Sequence, residues 1–286
     1  MLSIKSSVLL GFSSLASAIT RCGSAPPSDA IRALHSEYEA EENSTSAPEN
    51  RDRITLSTTI DTYVHIIQHE SAPVDLTARI SVLNTRFADS NTGFMFNLVS
   101  QQDVQNDNWR NVEPGSPQEL DMKSTLRQGR YRDLNIYVDT ISDGSILGYA
   151  QFPEENPDST TLALDGVVVI PDSLPGGTGP YGLGLTTVHE VGHWLSLFHT
   201  FQPDPIVSPD SGCNGAGDYI IDTPAEDSPA SACPEGRDSC PIIPGLDPIR
   251  NYMDYSGDAC LDQFTMGQAM RMRTMFMALR AMSPVK

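Results

Sequence analysis

Apolar positions along the chain follow two spacings, one typical of strands and one typical of helices. Apolar and β-branched runs bounded by turn residues predict strands at 60–69, 94–99, 134–140 and 166–170. Apolar residues three and four apart predict helices at 74–88, at about 184–195 and in a Met-rich segment ending near 281. That last helix opens on Thr265-Met266-Gly267-Gln268, a capping-box pattern, and its methionines are expected in the core. Regular structure is thus predicted from about Ile54 to the end of the helix near 195, and again in the last helix.

Residues 19–50 lack such a pattern. They combine a Pro pair, a Glu-rich run and the polar tract 43–48, so we expect weak structure, with a helix only around 29–38. The lone His35 lies in this stretch and is assigned no role. Asn43 begins the N-glycosylation sequon Asn-Ser-Thr, which makes it a candidate glycosylation site.

The stretch from Asp204 to Asp262 shows almost no regular pattern. It contains twelve acidic residues against two arginines, with many Gly and Pro. A loop of this length is uncommon unless it is functional or cross-linked. Its carboxylates suit a structural calcium ion, and a solvated acidic surface explains them equally well.

Five cysteines divide into Cys22 and a cluster made of Cys213, Cys233, Cys240 and Cys260. In an exported protein, an even cluster in loop-rich sequence favours disulfides, and four cysteines allow three pairings. A four-cysteine zinc site is the alternative, but its usual CxxC pairs are missing. Disulfides are therefore the favoured interpretation, and Cys22 is left over.

The N-terminus has the form of an export signal. Lys5 supplies the positive charge, 8–12 begin a short apolar core, and Ala16-Ser17-Ala18 offers a cleavage site. A buried N-terminal helix is the alternative, but the stretch is Ser-rich and poorly patterned. We therefore expect a signal peptide at 1–18 and an extracellular, oxidising destination.

The net charge of −19 over 286 residues argues against nucleic acid as a partner, because a phosphate backbone requires a basic face. No apolar run approaches the roughly 18 residues needed to span a bilayer, so no membrane partner is expected either. The length allows one large domain or two small ones, and we expect a monomer.

Three of the six histidines lie in the stretch HEVGHWLSLFH, 189–199. On a helix His189 and His193 share one face and can bind one metal ion. Zinc with three protein ligands keeps a water of pKa about 7 in its fourth position. Glu190, one residue round the helix, can take that water's proton and pass it to a leaving amine. The predicted chemistry is peptide hydrolysis.

The third zinc ligand is predicted to be His199, six residues after His193. A continuous helix would turn it about 120° off the ligand face, so the helix has to end and the chain bend back. Many zinc peptidases of this pattern place a Gly at the bend because Gly tolerates φ > 0, but Ser196 stands here. The alternatives are incidental histidines on an amphipathic helix, or a thermolysin-like site with a downstream Glu in place of His199.

HEVGHWLSLFH followed by Thr200-Phe201, together with Asn251-Tyr252-Met253-Asp254-Tyr255, resembles the pappalysin (cytophagalysin-like) family of metzincin zinc peptidases, especially fungal-type extracellular metalloproteases. The likeness runs from about Ile54 to the C-terminal helix. It includes 147–153, 217–225 and 264–272. The resemblance implies an α/β zincin fold.

In that fold, a mixed, twisted, five-stranded sheet and two helices, one of them the active-site helix, form an upper part that ends near 199. A loop-rich, disulfide-bonded lower part, 200–286, carries a C-terminal helix. The catalytic domain would then be 51–286, after a pro-segment or linker at 19–50.

The resemblance also implies roles for single residues. Met253 resembles the Met-turn residue, an apolar floor beneath the metal, and Tyr255 resembles a Tyr that donates a hydrogen bond to the oxyanion. The family implies the disulfide pairs Cys213–Cys240 and Cys233–Cys260. Relatives bind calcium in the same acidic region.

Arg21-Cys22-Gly23 resembles the cysteine-switch stretch found upstream in such proteins. A thiolate there occupies the fourth zinc position until the segment is removed, which would need cleavage near 50–53. An incidental unpaired cysteine after the signal is the alternative, and the two interpretations stay open.

Two further features are weaker. His65 and His69 are four residues apart with Glu70 alongside, but a structural role in a strand is favoured over a second metal site. In some relatives an acidic residue just before the last clustered Cys selects basic side chains on the primed side. Here that position is Ala259 and Asp258 comes one earlier, so a basic and a broad or apolar preference both stay open.

The sequence therefore predicts a secreted zinc endopeptidase, made as a zymogen, that acts on protein or peptide substrates with one zinc ion per chain. A binding protein that keeps the fold but no longer cuts is a second hypothesis, although such proteins usually lose the Glu that Glu190 provides. A disulfide-rich structural protein would leave the histidines unexplained.

Overall fold

The computed structural model describes residues 20–44, 57–67 and 76–283. Three predictions fall on residues outside these ranges: the signal peptide 1–18, the cleavage region 50–53, and the pair His69 and Glu70. No helix in the described part of the chain combines the length and the apolarity needed to cross a membrane.

The described residues form six strands and six α-helices. The strands are β1 (Thr20–Cys22), β2 (Thr58–Ile67), β3 (Phe94–Val104), β4 (Leu134–Val138), β5 (Ile146–Ala150) and β6 (Val167–Val169). The helices are α1 (Asp29–Ser44), α2 (Leu76–Asp89), α3 (Pro117–Leu126), α4 (Ser159–Leu164), α5 (Leu185–Trp194) and α6 (Met266–Met275). A wider π-helical segment, Phe276–Ala281, continues α6.

All six strands join one mixed sheet in the order β1-β5-β6-β4-β2-β3. β5 runs antiparallel to β6, and every other neighbouring pair is parallel. β4 and β6 are buried along their whole length, which explains their nearly continuous apolar sequence. Five of these strands belong to the predicted catalytic domain. The sixth, β1, comes from the segment 19–50 and covers the edge of β5.

Two apolar layers enclose the sheet. The larger contains α2 and α5, whose residues Leu83, Val188 and Trp194 pack against β2, β4 and β6. The smaller includes Met122 and Leu126 of α3. Because α5 lies between the sheet and the lower half, all ten of its residues are buried, and the histidines it carries are fixed in a rigid setting.

The lower half, 200–286, has little regular structure before α6 and is held by cross-links and ion pairs. The structure pairs Cys213 with Cys240 and Cys233 with Cys260, each with a Cα–Cα distance of 5.5 Å, which is the pairing implied by the family resemblance. Arg237 bridges two buried carboxylates in the same region, at 2.7 Å from Glu226 and 2.6 Å from Asp247. These links replace the missing secondary structure.

The expectation of weak structure at 19–50 was wrong for the part that is described. Residues 20–22 form β1, and the helix predicted at 29–38 extends to Ser44. The order comes from contacts with the catalytic domain, such as β1 pairing with β5 and the burial of Ile31 and His35. A local pattern cannot show such contacts.

β5, α3 and α4 were not predicted. Each is short, with five, ten and six residues, and Gly148 interrupts the strand pattern of β5. His65 has the expected structural role, because Asn135 and Gln102 lie at 2.9 and 2.8 Å from its two ring nitrogens.

Candidate active site

Helix α5 carries two of the candidate metal ligands. It begins after Gly184, which has a left-handed conformation with φ of 87°. His189 and His193, one turn apart, are both fully buried, and their Nε2 atoms lie 3.1 Å apart. The helix thus holds two imidazoles toward one point.

The chain turns back directly after α5. Ser196 has a φ of 80°, in the left-handed region that costs a residue with a Cβ about 1–2 kcal/mol. The N–H of Ser196 donates to the carbonyl of His193 (2.8 Å), and that of Leu197 donates to the carbonyl of Gly192 (2.9 Å). This bend brings His199 Nε2 to 3.0 Å from His193 Nε2. Ser196 therefore adopts the conformation that glycine would favour.

The hydrogen bonds of the imidazoles show that their Nε2 atoms are acceptors. His189 Nδ1 lies 2.6 Å from the carbonyl oxygen of Tyr252, and His193 Nδ1 lies 2.7 Å from that of Leu197. A carbonyl only accepts, so the ring proton sits on Nδ1 and a lone pair sits on each Nε2. Two lone pairs at 3.1 Å repel unless a cation lies between them. The site therefore fits a metal ion, with its ligands oriented by backbone carbonyls.

Burial keeps these rings neutral. It lowers the pKa of His193 to about 4, and it lowers the pKa values of His189 and His199 well below the usual range. Neutral imidazole is the form that binds metals. Cys22 completes the set, since its Sγ and one nitrogen from each of the three histidines lie within 4.8 Å of one another. Three imidazoles and one thiol are a donor set suited to zinc.

Glu190 lies beside this centre and is fully buried. Its Oε2 accepts hydrogen bonds from the Cys22 thiol (3.4 Å) and the Ser24 hydroxyl (3.1 Å). Burial raises the pKa of Glu190 to about 8, although the hydrogen bonds from Cys22 and Ser24 oppose the rise. The carboxyl group is therefore placed where it can exchange a proton with a group at the metal centre.

Gly148 of β5 makes room for Glu190. A Cβ at this position would lie 3.1 Å from Glu190 Cγ and 2.9 Å from the carbonyl oxygen of Val168. Both distances are shorter than ordinary van der Waals contact. A glycine is thus required where the strand passes over the acid.

Met253, which the family resemblance predicts beneath the metal, packs against α5 at Gly192. Its side chain is fully buried, and its sulfur lies 2.5 Å from where a Cβ on Gly192 would be. Asn251 fixes this turn, because its Oδ1 accepts from Met253 N (2.9 Å) and its amide exchanges two hydrogen bonds with Gln268 of α6. The C-terminal helix therefore supports the metal centre through this turn.

Tyr255 lies beside His199 and the backbone of Cys22. Its hydroxyl is 3.2 Å from His199 Nε2 and donates to the carbonyl oxygen of Cys22 at 3.2 Å. A phenol hydroxyl at this position could donate a hydrogen bond to a negative charge that develops beside the histidines.

Arg21, the residue before Cys22, fills a side pocket of this cleft. Its guanidinium donates to Asp258 Oδ1 and to the carbonyl oxygen of Ser256, both at 2.7 Å, and it lies over the ring of Tyr181 at 5.0 Å. The side chains of Arg21 and Asp258 are both fully buried. The pocket therefore binds a cationic side chain when the N-terminal segment is in place.

Three further residues contribute to the site and were not predicted from the sequence: Ser24, Gly148 and the buried His35, whose Nε2 lies 3.0 Å from Ser196 Oγ. Ser24 links Glu190 to the strand β5, because its hydroxyl also accepts from Ala150 N at 2.8 Å. Nothing in the local sequence marks this serine. For Gly148 the signal was a glycine inside an otherwise apolar run, which indicates close approach of another group.

Comparisons with known proteins agree with this geometry. A family model described as pregnancy-associated plasma protein-A, of peptidase family M43, matches residues 127–277. The chain is 42% identical over 275 residues to an extracellular metalloprotease of Pyricularia oryzae, covering 91% of this chain and 90% of that protein. It is 42% identical over 287 residues to extracellular metalloprotease 1 of Coccidioides posadasii, covering 95% and 96%.

Among solved structures, mature mirolysin of Tannerella forsythia in complex with a cleaved peptide superposes with a TM-score of 0.63 at 28% identity. The match covers 79% of this chain and 97% of that one.

Proposed function

The chain belongs to the M43, or pappalysin, family of zinc metallopeptidases, and on that premise we propose that it is a secreted endopeptidase made in a latent form. The observation that carries the proposal is the convergence of three imidazole Nε2 atoms beside a buried carboxyl group. His189, His193 and His199 would hold one zinc ion. Bound there, zinc supplies a Lewis acid that polarises a peptide carbonyl and makes water more acidic.

Glu190 acts as general base and then as general acid. Its Oε2 now bonds Cys22 and Ser24, so removal of the N-terminal segment frees this oxygen for water. It takes a proton from that water and gives it to the leaving amine. Tyr255 donates its hydroxyl proton in a hydrogen bond to the oxygen of the scissile carbonyl as negative charge develops there.

Latency follows from the position of Cys22. We assign its Sγ to the fourth ligand position, because it lies with the histidine nitrogens in one cluster. Burial, and then the Glu190 carboxylate, raise the pKa of this thiol, and a bound divalent cation is the kind of neighbour that favours the thiolate. The alternative, an incidental free cysteine, gives no reason for this location.

Substrate preference is proposed from the same segment. The Asp258 carboxylate, which also accepts from Leu183 N at 2.9 Å, would face a substrate side chain once Arg21 has left. A basic side chain on the primed side is then favoured over an apolar one, because a buried carboxylate without an opposite charge beside it is costly. The Ala at position 259 does not prevent this, since Asp258 reaches the pocket instead.

Secretion is supported by the relatives named as extracellular metalloproteases. The signal at 1–18, glycosylation at Asn43, calcium binding in 204–262 and a monomeric state stay predictions. Asn43 lies in the last turn of α1, so a glycan would belong to the segment that is removed.

The test is hydrolysis of a denatured protein by the activated enzyme and by Glu190→Ala, with zinc measured in both. We expect one zinc per chain in each, and cleavage by the unmodified enzyme alone, abolished by a chelator. If both bind zinc and neither cuts, the chain is a binding protein of this fold. Binding of no zinc would reject the metallopeptidase proposal.

A further inference from the structure

The N-terminal segment is held at a second place, beside the bend that follows α5. Helix α1 buries Ile31 and His35 against a surface that also includes Phe198, Met275 and Leu279. Leu34 and Tyr38 of the same helix, with Phe152 and Tyr219, pack around this contact. We call the residues Ser196, Phe198, Arg271, Met275 and Leu279 the helix-docking surface.

His35 is the centre of this contact and is fully buried. Its ring stacks on Phe198 with centroids 4.2 Å apart. Arg271 has only donors, so the 2.7 Å contact between its Nη1 and His35 Nδ1 makes Nδ1 an acceptor. The ring proton then sits on Nε2 and is donated to Ser196 Oγ at 3.0 Å. Both polar atoms of His35 are therefore satisfied by the catalytic domain.

Arg271 depends on α1 in turn. It is fully buried and donates to three groups: His35 Nδ1, Glu42 Oε2 at 3.2 Å and the carbonyl oxygen of Tyr219 at 3.0 Å. Two of these acceptors lie on α1. Loss of the helix would leave this guanidinium with one of the three.

Ser196 has a place in this arrangement that glycine could not fill. Its backbone is in the left-handed region, where glycine would be free of strain. Its hydroxyl, however, is the acceptor for His35. The strained residue at the bend between two candidate metal ligands is thus also a contact point for the N-terminal segment.

We propose that the helix-docking surface binds α1 tightly enough to keep segment 20–44 on the enzyme after the chain has been cut within 45–56, so that one cut alone yields an inhibited two-chain complex. A covalent link supplies an effective concentration in about the millimolar range. Helix α1 buries Ile31 and the stack of His35 on Phe198, and both ring nitrogens of His35 are hydrogen-bonded. We therefore expect the dissociation constant of the segment to lie below this effective concentration, so that the segment stays bound when the link is lost. The inhibitory part rests on the proposed peptidase function, whereas the docking does not.

The test uses the full secreted chain with Glu190→Gln, which prevents self-digestion and keeps an oxygen to accept from Cys22 and Ser24. A recognition sequence for an added protease is placed within 45–56. The cut protein is passed over a sizing column at a series of dilutions, and segment 20–44 in the enzyme peak is quantified by mass spectrometry. We expect the segment to co-elute with the enzyme and to be lost only at high dilution.

Three matched variants assign the retention to the docking surface. His35→Ala is expected to raise the dissociation constant of segment 20–44 on the order of a hundredfold, because Arg271 and Ser196 lose their hydrogen bonds to His35. Ser196→Gly is expected to raise this dissociation constant about tenfold, because the buried Nε2–H of His35 is left without an acceptor. Ser36→Ala, at an exposed neighbouring position, should have no effect. Zinc content and thermal unfolding of each uncut variant exclude misfolding.

Release of the segment as soon as the chain is cut, or equal retention by all variants, would overturn the proposal. In protein that keeps Glu190, hydrolysis by the two-chain complex with the segment still bound would overturn the inhibitory part. A different failure, in which retention follows the expected order but no hydrolysis occurs even after the segment is removed, rejects the peptidase function and leaves the docking in place.

Discussion

Gly192→Ala tests whether the apolar floor controls the metal-binding helix. Gly192 lies between His189 and His193 on α5, and an added Cβ would come within 2.5 Å of Met253 Sδ and 3.3 Å of its Cε. Met253 is fully buried, so it has no open space to move into. Overpacking of this kind costs about 1–3 kcal/mol, whereas alanine in a helix gains about 0.5–1 kcal/mol over glycine.

The expected net result is a loss of about 1–2 kcal/mol in the free energy of unfolding, together with weaker zinc binding because the ligand helix is displaced. Thermal unfolding measures the first and a chelator competition titration measures the second. Met253→Ala should cost about 2–5 kcal/mol by itself, yet it opens space for the new methyl group. The double variant should therefore be less unstable than the sum of the two singles.

Strict additivity of the two changes would refute the contact between Gly192 and Met253, because residues that do not touch combine independently. A Gly192→Ala protein as stable as the original would refute it as well.

Four further results are expected. Asp258→Asn should lower kcat/KM for substrates with Arg or Lys on the primed side on the order of ten- to hundredfold relative to apolar substrates. An unchanged cleavage profile would show that Asp258 does not determine the substrate preference. Cys22→Ser should give an uncut chain with measurable peptidase activity, and continued silence would show that the thiol is not the block. If calcium is bound in 204–262, a calcium-selective chelator should lower the melting temperature without removing zinc; no change argues for a solvated loop. Reduction of the two disulfides should unfold the lower half before the sheet, so that backbone amides of the lower half exchange with solvent first. Simultaneous exchange in the lower half and the sheet would show that the two do not unfold separately.

The parts of the fold that sequence could predict are those with long, regular patterns. β2 and β4 were predicted from apolar runs, and α2, α5 and α6 from apolar residues at helical spacing. β5 was not predicted because Gly148 interrupts its apolar pattern. Tertiary packing requires a glycine there, since a Cβ would be too close to Glu190 and Val168. A residue chosen for its small size weakens the pattern that would reveal its strand.

In the candidate site, too, the residues with a local sequence pattern could be predicted and those placed by long-range contacts could not. His189, Glu190 and His193 could be selected by helical spacing alone. The φ of Ser196 matches the bend expected from the position of His199, but its hydrogen bond to His35 joins residues 161 positions apart. Arg21 and Asp258, 237 positions apart, form another such contact. No local pattern carries contacts of this range, which is why His35 was given no role and the substrate preference was left open.

The most direct measurement is X-ray absorption at the zinc edge, made on the secreted chain before and after removal of the N-terminal segment. A zinc site blocked by Cys22 would show three nitrogen ligands and one sulfur at about 2.3 Å in the intact chain, with the sulfur replaced by a lighter atom when activity appears. Zinc without a sulfur ligand in the inactive chain, or with one in the fully active enzyme, would contradict latency through Cys22.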